Sequence, residues 1–217
     1  MRRRSRIQLL ALLAVAVLAA GCGRGEKSAP VPAGSPADKK VVMVVAHRDF
    51  RDEEFFEPKK ILEERGAKVL VASSSLEEAR GMLGGTLKPD LPLKDVRAAD
   101  YDAVIFVGGE GAREYWDDLE AHRVAREALE QGKVLGAICL APVTLANAGV
   151  LSGRKATVWH DEAARLEASG AEYTGARVEV DGRVVTAGGP ESAKEFGEAV
   201  ARLLGGQAPD REGDDER

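Results

Sequence analysis

The sequence has little cysteine and no long apolar run. Cys22 and Cys139 are its only two cysteines, which argues against a small scaffold held together by disulfides. The longest apolar run, residues 9–20, is shorter than the ~20 residues that a transmembrane helix needs. The sequence therefore argues against a disulfide framework and against a comfortable membrane span.

The first 22 residues have the features of a bacterial secretion signal. Four arginines precede the apolar run, and the small residues of "LAAGC" lead into Cys22. This ending resembles a lipobox, which implies removal of residues 1–21 and lipidation of Cys22. We expect an exported bacterial lipoprotein whose Cys22 anchors it to a membrane on the periplasmic or cell-surface side. Ordinary signal cleavage and an uncleaved anchor are the alternatives.

Acidic residues outnumber basic residues once the predicted signal peptide is removed. Loss of its four arginines leaves 27 of the 31 Lys and Arg residues against 36 Asp and Glu, a net charge near −9 instead of −5. A nucleic-acid-binding surface needs a basic stripe, so we expect no nucleic-acid partner. A polybasic membrane patch is absent too, so membrane attachment would have to be covalent.

Composition divides the remaining chain into three parts. Residues 22–39 are rich in Gly, Pro, Ala and Ser without apolar periodicity, which predicts a flexible tether after the lipidated cysteine. Residues 205–217 are acidic and lack large apolar side chains, which predicts a disordered tail. Residues 40–204 have the length and composition of one folded domain.

Short apolar runs alternate with helical patterns in this domain. Segments 41–46, 102–107 and 133–139 are nearly continuous apolar runs, typical of strands buried on both faces. The segment "KATVWH" at 155–160 is predicted as a further strand, and "ARVEVDGRVVTAGG" has the Asp-Gly signature of a hairpin. The alternation predicts an α/β sandwich with a mainly parallel sheet. Such sheets bind ligands beyond the carboxyl ends of their strands.

Cys139 lies at the turn between a predicted strand and the helix that Pro142 begins. This arrangement is typical of a nucleophile elbow, which exposes its side chain above the sheet. The positive end of the following helix favours negative charge, so we expect a lowered pKa for the thiol. The alternative is a small buried residue without reactivity.

Two other segments reach the same edge of the sheet. Strand 102–107 ends in Gly108 and Gly109, whose N–H groups are candidates for holding an oxyanion, and Glu110 follows them. The acidic residues that open the first helix, Glu54 among them, suit the helix dipole. A carboxyl group facing the crevice would also be able to exchange a proton with the thiol.

These segments together resemble the ThiJ/PfpI superfamily, which includes the parkinsonism-associated protein deglycase and PfpI-type peptidases. The resemblance covers roughly 40–204 through "EEFFEP", "ADYDAVIFVGGEGAREYW", "GKVLGAICLAPVTLANAGVLSGRKATVW" and "VEVDGRVVTAGGPESAKEFGEAVARLL". It implies a flavodoxin-like three-layer sandwich of the class I glutamine amidotransferase type. The family's nucleophile falls on Cys139, its glutamate on Glu54, and its backbone donors on Gly109 and Leu140. Family members often form dimers, so the resemblance also suggests a homodimer.

The sequence departs from the family next to the nucleophile. PfpI-type members have a histidine directly after the cysteine, whereas this chain has Leu140. His160 and His47 end predicted strands and are candidates to replace that base, or they are structural hydrogen-bonding residues. His122 lies on a predicted helix, where we expect it to be solvated. Trp159 is expected to pack in the fold or to line the pocket.

Three functions stay open on this basis. The first is a cysteine-dependent hydrolase or lyase acting on small carbonyl or acyl substrates, with Cys139 as nucleophile, Glu54 moving protons, and neither metal nor organic cofactor. The second is a redox sensor or scavenger in which Cys139 is oxidised. The third is a non-catalytic ligand-binding protein. Peptidase activity is not expected, because Leu140 replaces the adjacent base.

Overall fold

The computed structural model describes residues 36–206. The predicted signal peptide, Cys22, most of the tether and the tail from residue 207 onward lie outside this range. The last residues of the predicted tether, 36–39, contact the domain. Asp38 N–H donates to the Gly66 carbonyl at 3.0 Å, and Lys39 Nζ lies 3.1 Å from Asp102 Oδ1.

The described residues form twelve strands and five α-helices. The strands are β1 Lys40–Val44, β2 Arg48–Phe50, β3 Lys68–Ser73, β4 Ala79–Gly81, β5 Thr86–Leu87, β6 Leu91–Pro92, β7 Ala103–Phe106, β8 Val134–Ile138, β9 Lys155–Ala156, β10 Glu172–Tyr173, β11 Val178–Asp181 and β12 Val184–Ala187. The helices are α1 Asp52–Glu64, α2 Leu119–Glu130, α3 Pro142–Asn147, α4 Ala163–Ala168 and α5 Ala193–Leu204.

A seven-stranded sheet forms the centre, in the order β11-β12-β8-β7-β1-β3-β6. Its strands pair in parallel except for β11, which turns back on β12 as a hairpin. Helices α1 and α5 pack together against one face, and α2 and α3 lie on the other. The predicted α/β three-layer fold, its mainly parallel sheet and the final hairpin are confirmed.

The apolar runs form strands here because both of their faces are covered. All residues of β7 and β8, and β1 from Val41 onward, are buried. Gly197 of α5 lets the two helices of one layer approach closely, because a Cβ there would lie 2.8 Å from the Cα of Pro58 in α1. The buried centre holds the carboxyl ends of β1, β7 and β8 side by side at one edge of the sheet.

Two parts of the domain differ from the sequence prediction. The strand predicted for 155–160 is limited to β9, which pairs only with β10 in a separate two-stranded sheet. Residues 157–160 leave that pairing because Thr157 N–H binds the Thr186 hydroxyl and Trp159 N–H binds the Cys139 carbonyl. A small sheet of β2, β4 and β5 stands beside the central one and was not predicted.

Candidate active site

Cys139 sits directly after β8 in a left-handed backbone conformation. Its φ is +62°, a value that costs an L-residue energy and persists only where the surroundings hold it. Cys139 N–H donates to the Ala187 carbonyl at 2.8 Å, and its own carbonyl accepts from Trp159 N–H at 2.9 Å. Hydrogen bonds to two neighbouring segments thus hold the strained turn and direct the side chain to the sheet edge.

Glu54 approaches Cys139 from α1 across Gly108. The Glu54 side chain is completely buried. A Cβ on Gly108 would lie 2.4 Å from Glu54 Oε2 and 2.7 Å from Cys139 Cβ. Only glycine fits at this position, so the glycine that ends the β7 segment lets the carboxyl group and the thiol meet.

Burial dominates the protonation of Glu54. It raises the pKa of the carboxyl group from 4.5 to about 8, although the Cys139 thiol, the charge of Arg51 and the Gly108 amide all act in the opposite direction. Within the described residues neither carboxyl oxygen has a partner in full hydrogen-bond geometry, so the thiol and amide contacts are loose. Glu54 therefore holds its proton at neutral pH and is able to donate it.

The expected lowering of the Cys139 pKa is not found. Burial raises the pKa of the thiol, and a charged Glu54 raises it further, while the Gly109 and Leu140 amides lower it. Helix α3 is only six residues long and begins three residues after Cys139, so its dipole is a weak counterweight to desolvation. The thiol and carboxyl groups behave as a coupled pair that resists carrying two negative charges.

Two backbone amides face the thiol. The N–H groups of Gly109 and Leu140 both hydrogen-bond toward Cys139, and neither binds a backbone acceptor within residues 36–206. Gly109 has a φ of +98°, which directs its amide this way and which glycine adopts freely. Trp116 Nε1 donates to the Leu140 carbonyl at 3.0 Å and steadies the residue after the elbow.

A cavity of about 420 Å³ opens above these groups. Of the predicted pocket residues, Glu110 and Trp159 line it, Gly108 lies behind the thiol, and His47 is not part of the wall. The lining also includes five residues that the sequence did not single out, and two of them are the arginines Arg51 and Arg113. The full set is Arg51, Glu54, Met82, Gly109, Glu110, Arg113, Cys139, Leu140, Trp159, Asp161 and Pro190.

Comparison with known proteins accounts for this arrangement. The chain matches the DJ-1/PfpI family over residues 39–203. It belongs to the DJ-1/PfpI family. A protein of Methanocaldococcus jannaschii is 44% identical over 168 residues, 76% of this chain and 82% of that protein. A deglycase of Pyrococcus horikoshii is 31% identical, covering 76% and 99% of the two chains.

Two further relatives extend the comparison. A glutathione-independent glyoxalase of Caenorhabditis elegans is 28% identical over 78% of this chain and 91% of its own. The crystal structure of a ThiJ/PfpI domain protein from Brachyspira murdochii superimposes with a TM-score of 0.77 at 35% identity, covering 79% and 99% of the two chains. The family and its fold are therefore established for this chain.

No histidine among the described residues lines the cavity of this DJ-1/PfpI protein. His160 was expected to face the crevice, but its side chain is 69% exposed and its Nε2 lies 3.2 Å from Asp161 Oδ1. His47 instead donates its backbone N–H to Glu114. His122 was expected to be solvated, and this is wrong: it is buried, with Nε2 at 2.7 Å from the Trp116 carbonyl.

Arg51 and Arg113 are the positively charged site residues that sequence reasoning missed. Arg51 immediately precedes α1, three residues before Glu54, and Arg113 follows Gly109 by four residues. Their closeness to predicted site residues was the only available signal. Arginine is common on protein surfaces, so that signal did not distinguish them before the loops were placed.

Proposed function

We propose that this protein is a cysteine-dependent enzyme of the deglycase or glyoxalase type, acting on small reactive carbonyl compounds. The names of its relatives support the activity class. One observation carries the proposal further. Cys139, buried Glu54 and the backbone amides of Gly109 and Leu140 converge at the floor of a cavity large enough for a small substrate.

The first step in this proposal is addition of Cys139 to an aldehyde. The Cys139 thiol gives its proton to water, a bond forms between Sγ and the carbonyl carbon, and the electron pair of the C=O bond moves to oxygen. The Gly109 and Leu140 N–H groups lie where they would bind that oxygen as its charge develops. Glu54 supplies the proton that neutralises it, since its pKa of about 8 keeps it protonated at neutral pH.

When the substrate is a 2-oxoaldehyde, the next step moves a proton between two adjacent carbons of the hemithioacetal. Glu54 is the acid–base group available at this point, since no imidazole of the described residues reaches the cavity. Glu54, left as a carboxylate by the first step, takes the proton from the carbon bonded to sulfur and returns it to the neighbouring carbon. The hydroxyl proton passes to the neighbouring oxygen, and the hemithioacetal becomes a thioester. Water then releases a 2-hydroxy acid and restores the thiol, so no oxidant is consumed.

The absence of a cavity histidine also separates carbonyl chemistry from proteolysis. A peptidase must protonate a leaving amine, whereas an aldehyde has no leaving group. Glu54 as the single acid–base group is sufficient for addition of the thiol to an aldehyde. We expect negligible hydrolysis of casein and slow turnover of glyoxal-type carbonyls.

Methylglyoxal turnover tests the proposal. The loss of methylglyoxal and the appearance of lactate are measured for the wild type, Cys139→Ser and Glu54→Gln. Glu57→Gln, an exposed glutamate on the same helix, serves as the matched control. Cys139→Ser should abolish turnover, Glu54→Gln should reduce it by about 10²-fold or more, and Glu57→Gln should not change it. Turnover that survives Cys139→Ser would remove the thiol from the mechanism.

Redox sensing is a second candidate supported by the same geometry. A protonated Glu54 and the amides of Gly109 and Leu140 would stabilise an oxidised, negatively charged Cys139 sulfur. This function predicts stoichiometric oxidation of Cys139 at low peroxide, detected by mass spectrometry, without carbonyl turnover. If neither carbonyl turnover nor selective oxidation of Cys139 is observed, the remaining function is that of a non-catalytic binding protein.

We also propose that the enzyme works while attached to a membrane through lipidated Cys22. The support is the "LAAGC" ending of the N-terminal apolar run, which lies outside the described residues. Within residues 36–206 no helix has the length and apolarity needed to cross a membrane.

A further inference from the structure

The cavity contains two positively charged side chains that the proposed chemistry does not use. Arg51 and Arg113 both line its wall together with Cys139. Arg51 lies close enough to Glu54 for its charge to affect that carboxyl group. Its backbone N–H also donates to the Gly108 carbonyl at 3.0 Å, so it belongs to the innermost part of the site.

Neighbouring carboxylates hold both guanidinium groups in place without using all of their donors. Arg51 binds Glu53 through Nε at 2.9 Å and Nη2 at 3.2 Å, whereas its Nη1 makes no hydrogen bond within residues 36–206. Arg113 binds Glu110 through Nε and Glu162 through Nη1, and its Nη2 is likewise uncommitted among those residues. A ligand anion would therefore meet N–H donors that are already oriented.

Acidic groups also surround the cavity, and their positions decide whether it attracts or repels an anionic ligand. Glu53 and Glu162 hold the arginines but do not line the wall, and Glu54 is neutral at pH 7. The other two acidic residues of the lining, Glu110 and Asp161, have side chains 60% and 72% exposed. Their charges are screened by water, whereas the Arg51 side chain is only 28% exposed.

We propose that Arg51, with Arg113, forms an anion subsite beside Cys139, so that the preferred substrates are carbonyl compounds that also carry a carboxylate or phosphate group. The inference rests on the proposed function, since it names the substrate class of that site. The covalent step is unchanged. The thiol proton leaves to water, a C–S bond forms, and Glu54 protonates the former carbonyl oxygen.

A matched pair of alkylating reagents tests the subsite without any turnover. Iodoacetate is negative and iodoacetamide is neutral, and both form an Sγ–carbon bond at Cys139 with loss of iodide. The ratio of their rate constants, measured on the Cys139 peptide of the full chain by mass spectrometry, reports the local charge. Any change in thiol pKa cancels in this ratio, because both reagents attack the same thiolate.

The variants have distinct expected results. Arg51→Gln should lower the ratio by about tenfold, the effect of one charge-assisted hydrogen bond, and Arg113→Gln should lower it too. Glu53→Gln releases Arg51 and should raise it. Arg48→Gln removes the same charge from an exposed position on β2 and should leave it unchanged. An unchanged ratio in both cavity variants, or an equal fall in Arg48→Gln, would overturn the subsite.

Protection of the thiol tests the substrate class. Glyoxylate and glyoxal are each added before iodoacetamide, and the concentration that halves Cys139 labelling is compared. Glyoxylate should protect at lower concentration than glyoxal in the wild type, and Arg51→Gln should remove this advantage. Equal protection by the two compounds would refute the preference for anionic carbonyls. A lack of methylglyoxal turnover would instead count against the proposed function and leave the subsite standing.

Discussion

Replacement of Glu54 by glutamine should change how the stability of the protein depends on pH. Burial raises the pKa of this carboxyl group from 4.5 to about 8, so the folded state binds a proton that the unfolded state releases between these values. Glutamine keeps the shape of the side chain but does not titrate. The difference between wild type and Glu54→Gln therefore reports the protonation of Glu54 together with its coupling to the Cys139 thiol.

The sign and size of the effect follow from linkage. Below pH 4.5 the carboxyl group is protonated in both states, and its raised pKa has no effect on the pH dependence. Between pH 4.5 and about 8 only the folded state keeps the proton, so the stability of the wild type falls as the pH rises. The loss across this window is about 5 kcal/mol, a large part of the ~5–15 kcal/mol that stabilises a typical domain.

Urea unfolding at pH 5, 6, 7 and 8.5 measures this difference. Both tryptophans belong to the described part of the chain, and Trp116 is buried, so their fluorescence reports unfolding. The stability of the wild type relative to Glu54→Gln should decrease steadily as the pH rises. Glu57→Gln, from the exposed face of α1, should follow the wild type in parallel. A constant difference between wild type and Glu54→Gln would refute the burial argument.

Three other predictions concern the elbow and the anchor. Cys139→Gly should be at least as stable as Cys139→Ala in thermal unfolding although it buries one methyl group fewer, because a φ of +62° costs alanine about 1–2 kcal/mol; an alanine variant more stable by that amount would contradict strain at the elbow. Trp116→Phe leaves the buried Leu140 carbonyl without its donor, so it should lose about 1–3 kcal/mol in urea unfolding, and an unchanged midpoint would show that this bond is dispensable. Mass spectrometry of the membrane fraction should find a diacylglyceryl group on an N-terminal Cys22, and an intact Met1 would exclude lipidation.

Local sequence pattern was sufficient for most of the fold. The apolar runs around Val41, Val104 and Leu135 became adjacent parallel strands, and the Asp-Gly turn at Gly182 joined the predicted hairpin. These elements were predictable because strands covered on both faces leave a continuous apolar pattern in the sequence. The path of the segment after Thr157 was not predictable, because its backbone pairs with residues from other parts of the chain instead of extending β9.

The part of the candidate site that lies on turns at strand ends was predictable, because such turns depend on neighbouring residues in the sequence. The strand ends placed Cys139 and Gly109 at the sheet edge, and the family resemblance selected Glu54 among the acidic residues and added the amide of Leu140. The histidines were not predictable in this way. A residue at the end of an apolar run was assumed to point into the crevice, but His160 follows a turn that directs it to solvent beside Asp161.

The sequence alone determined which kinds of element form, their order, and the strand ends that carry the chemistry, because these depend on neighbours within a few residues. Only the tertiary structure decided how those groups behave. Burial, contributed by segments far apart in the chain, raises the pKa values of Cys139 and Glu54 and reverses the effect expected from the helix dipole. Desolvation and charge depend on distance in space, so the placement of Arg51 and Arg113 in the cavity also required the folded chain.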